Sequence, residues 1–238
     1  MPEVDHDMAD ERRHPHVTGN GSGAITADGC PVELWAALPP GEIPALLSSA
    51  LPPGCTVLDL GAGAGRLTHP LVRAGHHVTA VDESAEMLGH VHGATAVLST
   101  IEELRLDETF DVVLLASHLV NVPDTAARQR LLATCRHHVA GDGAVILQRF
   151  TPEWTQTATG RSDLGAGITC DTSLGPGPDP GLVSAVATYI FGDRRWQQSY
   201  VTCPLSDHQL TADLHEAGLR LDRWLSDDGR WVIVVPDS

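Results

Sequence analysis

Between Cys55 and Gln148 short apolar runs alternate with amphipathic stretches, and this rhythm organises the chain. The runs at 56–60, 77–81, 94–98, 110–116 and 144–148 have the length of strands, and helical periods at about 66–74, 84–90 and 125–138 separate them. Strands apolar on both faces, alternating with helices, predict a parallel sheet covered on both sides: a doubly wound, Rossmann-like α/β domain. Upstream, "DGCPVELWAAL" places Val32, Leu34, Trp35 and Leu38 on one helical stripe, with Asp28 and Pro31 as start signals. A second short helix follows in "PPGEIPALLSSALPPG", so two N-terminal helices precede the first strand. Residues 1–24 lack an apolar period and read as a flexible tail or a lid, leaving 25–238 as one domain with its core at 55–150. Past the fifth strand, "LGAGITCDTSLGPGPDPG" reads as a Gly/Pro-rich connection to an antiparallel hairpin, 182–191 with 196–203 turning at Gly192 and Asp193. The hairpin and its connection form an insertion at about 155–204. Ser206 with Gln209 then forms a capping box opening a helix that stops at Gly218, and two strands around "SDDG" close the chain.

Composition narrows the partners. The 238 residues carry 15 basic and 31 acidic side chains, a net charge of −16, the wrong sign for neutralising nucleic acid or an anionic membrane. Every basic residue is Arg, which excludes lysine chemistry such as Schiff bases or a P-loop. The five cysteines are odd in number and widely spaced, so they read as reduced thiols, with neither a disulfide framework nor a zinc ribbon. His6 and His14–His16 lack the ligand spacing of a metal site, and no metal is expected. With an acidic N-terminus and no apolar run of membrane-spanning length, the expected location is the cytoplasm, as a monomer or homodimer.

The informative motif is "VLDLGAGAGRL", a strand running into Gly61, Gly63 and Gly65 and then a helix. Glycines let the backbone turn sharply and let a ligand pack on main-chain atoms, at the carboxyl edge of a strand where open α/β sheets bind ligands. Asp82 ends the next strand roughly 20 residues after Gly61, the offset at which an acid accepts from ribose hydroxyls. Together they indicate an adenosine-containing ligand. A dinucleotide loop needs a third glycine where Arg66 stands, which makes NAD, and an NAD-dependent oxidoreductase, the less favoured reading.

"VLDLGAGAG", "VTAVDESAEML" and "FDVVLLASHLVN" resemble successive motifs of class I S-adenosylmethionine-dependent methyltransferases over about residues 55–150, with Asp59 opening the D-x-G-x-G-x-G pattern. The resemblance implies a seven-stranded sheet and S-adenosylmethionine as cofactor, with S-adenosylhomocysteine as product. It puts Asp59, Gly61, Ala62 and Gly63 around the methionyl part and Asp82 on the ribose. Glu83 flanks the adenine, and Met87 and Ser117 complete the cofactor lining. Where the family has an acid and then an apolar residue for the adenine, this chain offers Thr100 and Ile101, with Glu102 as an alternative partner.

Methyl transfer needs alignment and exclusion of water, and a base only where the acceptor is protonated. His118 and Asn121 in "ASHLVN" are the candidate catalytic residues, His118 as general base by its near-neutral ordinary pKa. Trp35, Gln148, Arg149, Trp154 and Tyr200 are candidates for substrate contact: Arg149 for a carboxylate, Tyr200 on the hairpin with Tyr189 and Trp196, and Trp35 with Glu33 on a helix able to close over the crevice. The expected acceptor is a small molecule taking the methyl on oxygen or nitrogen, in a natural-product setting suggested by the lysine-free, Ala/Gly/Pro-rich composition. The competing reading is a non-catalytic S-adenosylmethionine-binding regulatory protein.

Overall fold

A computed structural model describes residues 17–237. The elements run β1 (Val17–Gly21), α1 (Val32–Ala37), α2 (Ile43–Ser48), β2 (Thr56–Leu60), α3 (Thr68–Arg73), β3 (His77–Asp82), α4 (Ala85–Leu88), β4 (Thr95–Leu98) and β5 (Phe110–Leu115). A single 3-10 turn (Leu119–Asn121) follows, then α5 (Thr125–His138), β6 (Val139–Gln148), α6 (Trp154–Thr157), β7 (Gly160–Gly165) and β8 (Ile168–Pro176). The chain continues with β9 (Val183–Phe191), β10 (Arg194–Thr202), α7 (Asp207–Glu216), β11 (Leu219–Trp224) and β12 (Trp231–Pro236).

Seven strands form the main sheet in the order β11-β12-β6-β5-β2-β3-β4. β2 to β6 pair in parallel, and β12 runs antiparallel to both of its neighbours. Strand side chains alternate, so each strand feeds two cores. Leu58, Leu60, Val113, Leu115, Val145 and Leu147 pack with Leu131 and Leu132 of α5 and Leu210 and Leu214 of α7. Val57, Val112, Leu114 and Ile146 face the other way, onto Leu47 of α2 and Leu71 of α3. This is the doubly wound α/β class that the apolar runs predict. From β2 the chain winds outward through β3 and β4, then returns to the other side of β2 with β5. That reversal opens a crevice past the carboxyl ends of β2 and β5.

A second, antiparallel sheet in the order β1-β10-β9-β8-β7 covers this end. It is larger than the expected hairpin. The Gly/Pro-rich connection holds the end of β7 and the whole of β8: Ile168, Cys170 and Thr172 lie opposite Phe191, Tyr189 and Ala187 of β9, and Arg161 clamps Asp171 across the edge. Residues 17–21, read as part of a tail, pair with β10 instead, while His6 and His14–His16 lie outside the described residues. Tyr189, Trp196, Ile168 and Cys170 pack against Leu34 of α1, fastening the N-terminal helix to the second sheet. Asp28 does not cap α1. It bonds with Thr26 and accepts from the Cys30 thiol, and Pro31 takes the cap position.

Candidate active site

The glycine loop leaves β2 with Gly61 at φ 69° and Gly63 at φ 55°, a region that L-residues enter at a cost. A Cβ at Gly61 would stand 2.5 Å from Leu119 Cδ1, the movable end of a side chain, so it is the left-handed backbone that favours glycine here. At Gly63 nothing lies within 4 Å of where a Cβ would be: the loop faces open space. Its N–H donates to Asp82 Oδ2 at 2.8 Å, and Ser84 N–H donates to Asp82 Oδ1 at 2.9 Å. Each carboxylate oxygen retains accepting capacity beyond these bonds. Burial raises the Asp82 pKa, and the two N–H groups oppose the shift. Beneath the loop, Asp59 is fully buried and accepts from Thr68 Oγ1 at 2.6 Å. Burial pushes its pKa up to about 6 against the pull of Thr68 and Arg66.

The opposite wall starts where β5 ends. Ser117 and His118 both take left-handed φ, 53° and 61°, strain of about 1–3 kcal/mol each that surrounding contacts must offset. Gln148 supplies one such contact, its Oε1 accepting from Ser117 N–H at 2.8 Å. The His118 ring stacks on Phe150 with centroids 3.6 Å apart, and Phe150 stacks on Trp154 at 3.9 Å, giving three nearly parallel rings. His118 Nδ1 is buried without a partner among the described residues. Burial first, then Arg230, pull the His118 pKa down to about 3, with the Arg149 backbone opposing. Burial thus disfavours the protonated imidazole, which bears against the expected general-base role, and the stacking gives the ring the place of an aromatic wall residue.

Two further expectations change. Asn121 is buried with its amide fully committed: Nδ2 donates to the carbonyls of Phe150 and Cys203, and Oδ1 accepts from Phe150 N–H. It ties the 3-10 turn to the ends of β6 and β10, a bracing position with both amide N–H groups spent on backbone carbonyls. Arg149 is likewise buried, donating to the carbonyls of Gly229 and Leu205 and pairing with Asp207, while its guanidinium lies 4.9 Å from the Trp224 ring centroid. It braces the loop before β12 rather than facing a substrate.

The remaining candidates line the roof and the adenine end. Trp35 packs with Val32, Ala64 and Met87 above the glycine loop, and its Nε1 is buried without a partner among the described residues. Glu33 pairs with Arg194 on β10 at 2.6 Å, holding α1 to the second sheet. Tyr200 belongs to the cluster of Tyr189 and Trp196, and burial pushes its phenol up to about 12. Ala62 N–H donates to Val81 O at 2.9 Å, locking the loop to β3. Ile101 reaches to 3.7 Å from the Cβ position of Gly61, whereas Thr100 Oγ1 accepts from Glu103 N–H at 3.3 Å. Leu119 and Phe150 escaped the sequence reading because an aliphatic or aromatic residue after a strand carries no signal of its own.

These residues fit an adenosine bearing an amino-acid sulfonium. Open space faces Gly63, Asp82 keeps lone pairs beside it, and the orphaned Trp35 Nε1 gives the roof an unused donor.

Residues 57–143 match the family described as "Methyltransferase domain". The ubiquinone biosynthesis O-methyltransferase of Xylella fastidiosa is 32% identical over 104 residues, covering 40% of this chain and 41% of that protein. The chain thus spans about two fifths of the length of that curated relative. Among solved structures, the CcbJ methyltransferase of Streptomyces caelestis aligns with a TM-score of 0.67 at 22% identity, over 84% of this chain and 91% of that one. CalS10 of Micromonospora echinaspora, an amino pentose methyltransferase of calicheamicin biosynthesis solved with S-adenosylmethionine bound, aligns with a TM-score of 0.65 at 20% identity, over 88% and 93%. At these identities the structural likeness establishes the fold.

Proposed function

We propose that the chain is a class I methyltransferase that transfers a methyl group from S-adenosylmethionine to a nitrogen or oxygen atom of a small molecule, a reading that the methyltransferase-domain match over residues 57–143 supports. The observation that carries this reading is the Gly63–Asp82 pair, an open glycine loop and a ribose acid joined by one hydrogen bond at the point where the strand order reverses. When bound, the cofactor supplies a sulfonium methyl that an acceptor lone pair displaces in line, the C–S electrons returning to sulfur and the acceptor's proton passing to solvent.

The chain's own part is to bind, align and keep the site dry. Asp82 accepts from the ribose, Glu83 and Ile101 flank the adenine, and Thr100 or Glu102 meets its amino group. Gly61, Ala62, Gly63, Asp59, Met87 and Ser117 shape the rest of the cofactor bed. The acceptor enters between this bed and the His118–Phe150–Trp154 stack, under the roof of Trp35, Tyr189 and Tyr200. Burial disfavours protonation of His118, which supports an acceptor amine that arrives as the free base over a hydroxyl that must lose its proton in the site. The amino-sugar acceptor named for CalS10 supports this preference, and its biosynthetic setting supports a natural-product role.

Calorimetric titration with S-adenosylhomocysteine and with NAD, on wild type and Asp82→Ala, tests the reading. The expected result is binding of the first ligand alone, weakened about 10-fold or more by the loss of Asp82. Failure of the wild type to bind S-adenosylhomocysteine overturns the assignment.

A further inference from the structure

The inward face of the second sheet carries a ring of unpaired polar groups. Gln198 and Tyr200 follow one another on that face of β10, and Ala187 and Ala185 of β9 stand opposite them, with Tyr189 next along β9. Diagonal neighbours on paired strands lie within reach of long side chains, so Gln198 sits between the two phenols, opposite alanines that leave space. Gln198 is 8% exposed, and its Nε2 donates to the Asp28 carbonyl and to Cys30 Sγ, each at 3.3 Å. Reversing the amide would set its oxygen against the Asp28 carbonyl, acceptor to acceptor, so Oε1 is the end turned away from the N-terminal segment. Neither Oε1 nor the hydroxyl of Tyr189 or Tyr200 makes a hydrogen bond among the described residues, although Tyr189 is only 9% exposed. None of the three oxygens is sealed off. They open toward the crevice, since Tyr189 lies within electrostatic reach of Arg66 just past the glycine loop, and Cys30, beside Gln198, within reach of Asp82. Burial pushes both phenols up, so they remain protonated. The ring thus offers one oxygen that only accepts, two hydroxyls that donate or accept, and no charge. Polar groups withdrawn this far from water call for a ligand that pairs with them.

We propose that Gln198 orients the methyl acceptor: its Oε1 accepts an N–H of an uncharged amine, and Tyr189 and Tyr200 take up a hydroxyl on the same molecule. The substrate class is a hydroxylated amine that keeps at least one N–H, and the role rests on the methyl-transfer reading above, whose acceptor it names. An amine held by its N–H from the roof turns its lone pair down toward the glycine loop, the direction that an in-line transfer requires. An amide oxygen cannot donate, so a nitrogen without hydrogen meets only another lone pair at Gln198. Primary and secondary amines therefore qualify as acceptors, and tertiary amines do not.

The test saturates the chain with S-adenosylhomocysteine and titrates it with ortho-aminophenol and with its N,N-dimethyl derivative, aromatic amines that are uncharged at neutral pH and differ in their N–H groups. Wild type is expected to bind ortho-aminophenol about 10-fold more tightly. Gln198→Met is expected to erase that preference, and Gln198→Glu, which keeps an accepting oxygen, to retain it. Unchanged affinity for S-adenosylhomocysteine in both variants reports an intact fold. A wild type without the preference, or a Gln198→Met chain that keeps it, overturns the proposal, and so does an equal loss for both amines in both variants, the mark of a purely structural glutamine. A wild type that does not bind S-adenosylhomocysteine overturns the cofactor reading instead. A second measurement needs no variant to fold. In the NMR spectrum of the loaded wild type, the Gln198 side-chain amide signals, assigned through its backbone, are expected to shift with ortho-aminophenol and to stay with the dimethyl derivative. Signals unmoved by ortho-aminophenol overturn the proposal.

Discussion

Asp59 lies buried beneath the glycine loop and His118 stands past the end of β5, and burial acts on them in opposite senses because it penalises the charged form of each. Asp59 rises from 3.8 to about 6, so the folded chain takes its proton first, and Asp59 lowers stability as pH rises through that window. His118 falls from 6.5 to about 3, so the unfolded chain takes its proton first, and His118 lowers stability as pH falls. Between about pH 4 and 6 the two slopes oppose. Asp59→Asn, which still accepts from Thr68, is expected to make stability rise more steeply with pH there, and His118→Gln to make it fall. Urea midpoints at half-unit pH steps check both signs, and an unchanged slope in either variant would contradict the burial assigned to that residue. The glycines and Asp82 are legible in the sequence because their chemistry is local. His118 and Asn121 are not, because the sequence shows neither the left-handed backbone of the first nor the three distant backbone groups that hold the second.

Between elements, a buried ion pair joins α5 to α7. Arg128 Nε donates to Asp213 Oδ2 at 2.7 Å, with the two side chains only 5% and 12% exposed, and Arg128 also donates to the Val122 carbonyl. Asp213→Ala leaves a buried guanidinium without its counter-charge and is expected to cost about 3–5 kcal/mol, whereas Arg128→Met with Asp213→Leu recovers most of that loss. Chemical denaturation of the two variants checks the order, and a double variant less stable than the single one would refute it. The parallel strands, α5 and the Ser206–Gln209 capping box stand close to where the apolar periods put them, since each signal sits within a few residues. β1, β7 and β8 escaped the sequence reading for one reason. Their Gly-rich segments have weak strand propensity, and pairing makes them strands, β1 with β10, β8 with β9 and β7 with β8.

For the whole molecule, a net charge of −16 sets up self-repulsion that salt screens. Raising ionic strength from about 0.01 M to 0.15 M shortens the Debye length from about 30 Å to 8 Å, and the melting temperature is expected to rise over that range. A fall, read by differential scanning calorimetry, would mean that local ion pairs such as Glu33–Arg194 outweigh the global term. The sequence by itself determined the doubly wound core, the glycine loop and the acid beside it, because hydrophobic period and backbone permissiveness are properties of neighbouring residues. Only the tertiary structure decided that a five-stranded sheet roofs the crevice and that His118 stacks on Phe150 as one of its walls. Those facts depend on groups far apart in the chain, and burial and charge pairing take their values only when folding brings such groups together.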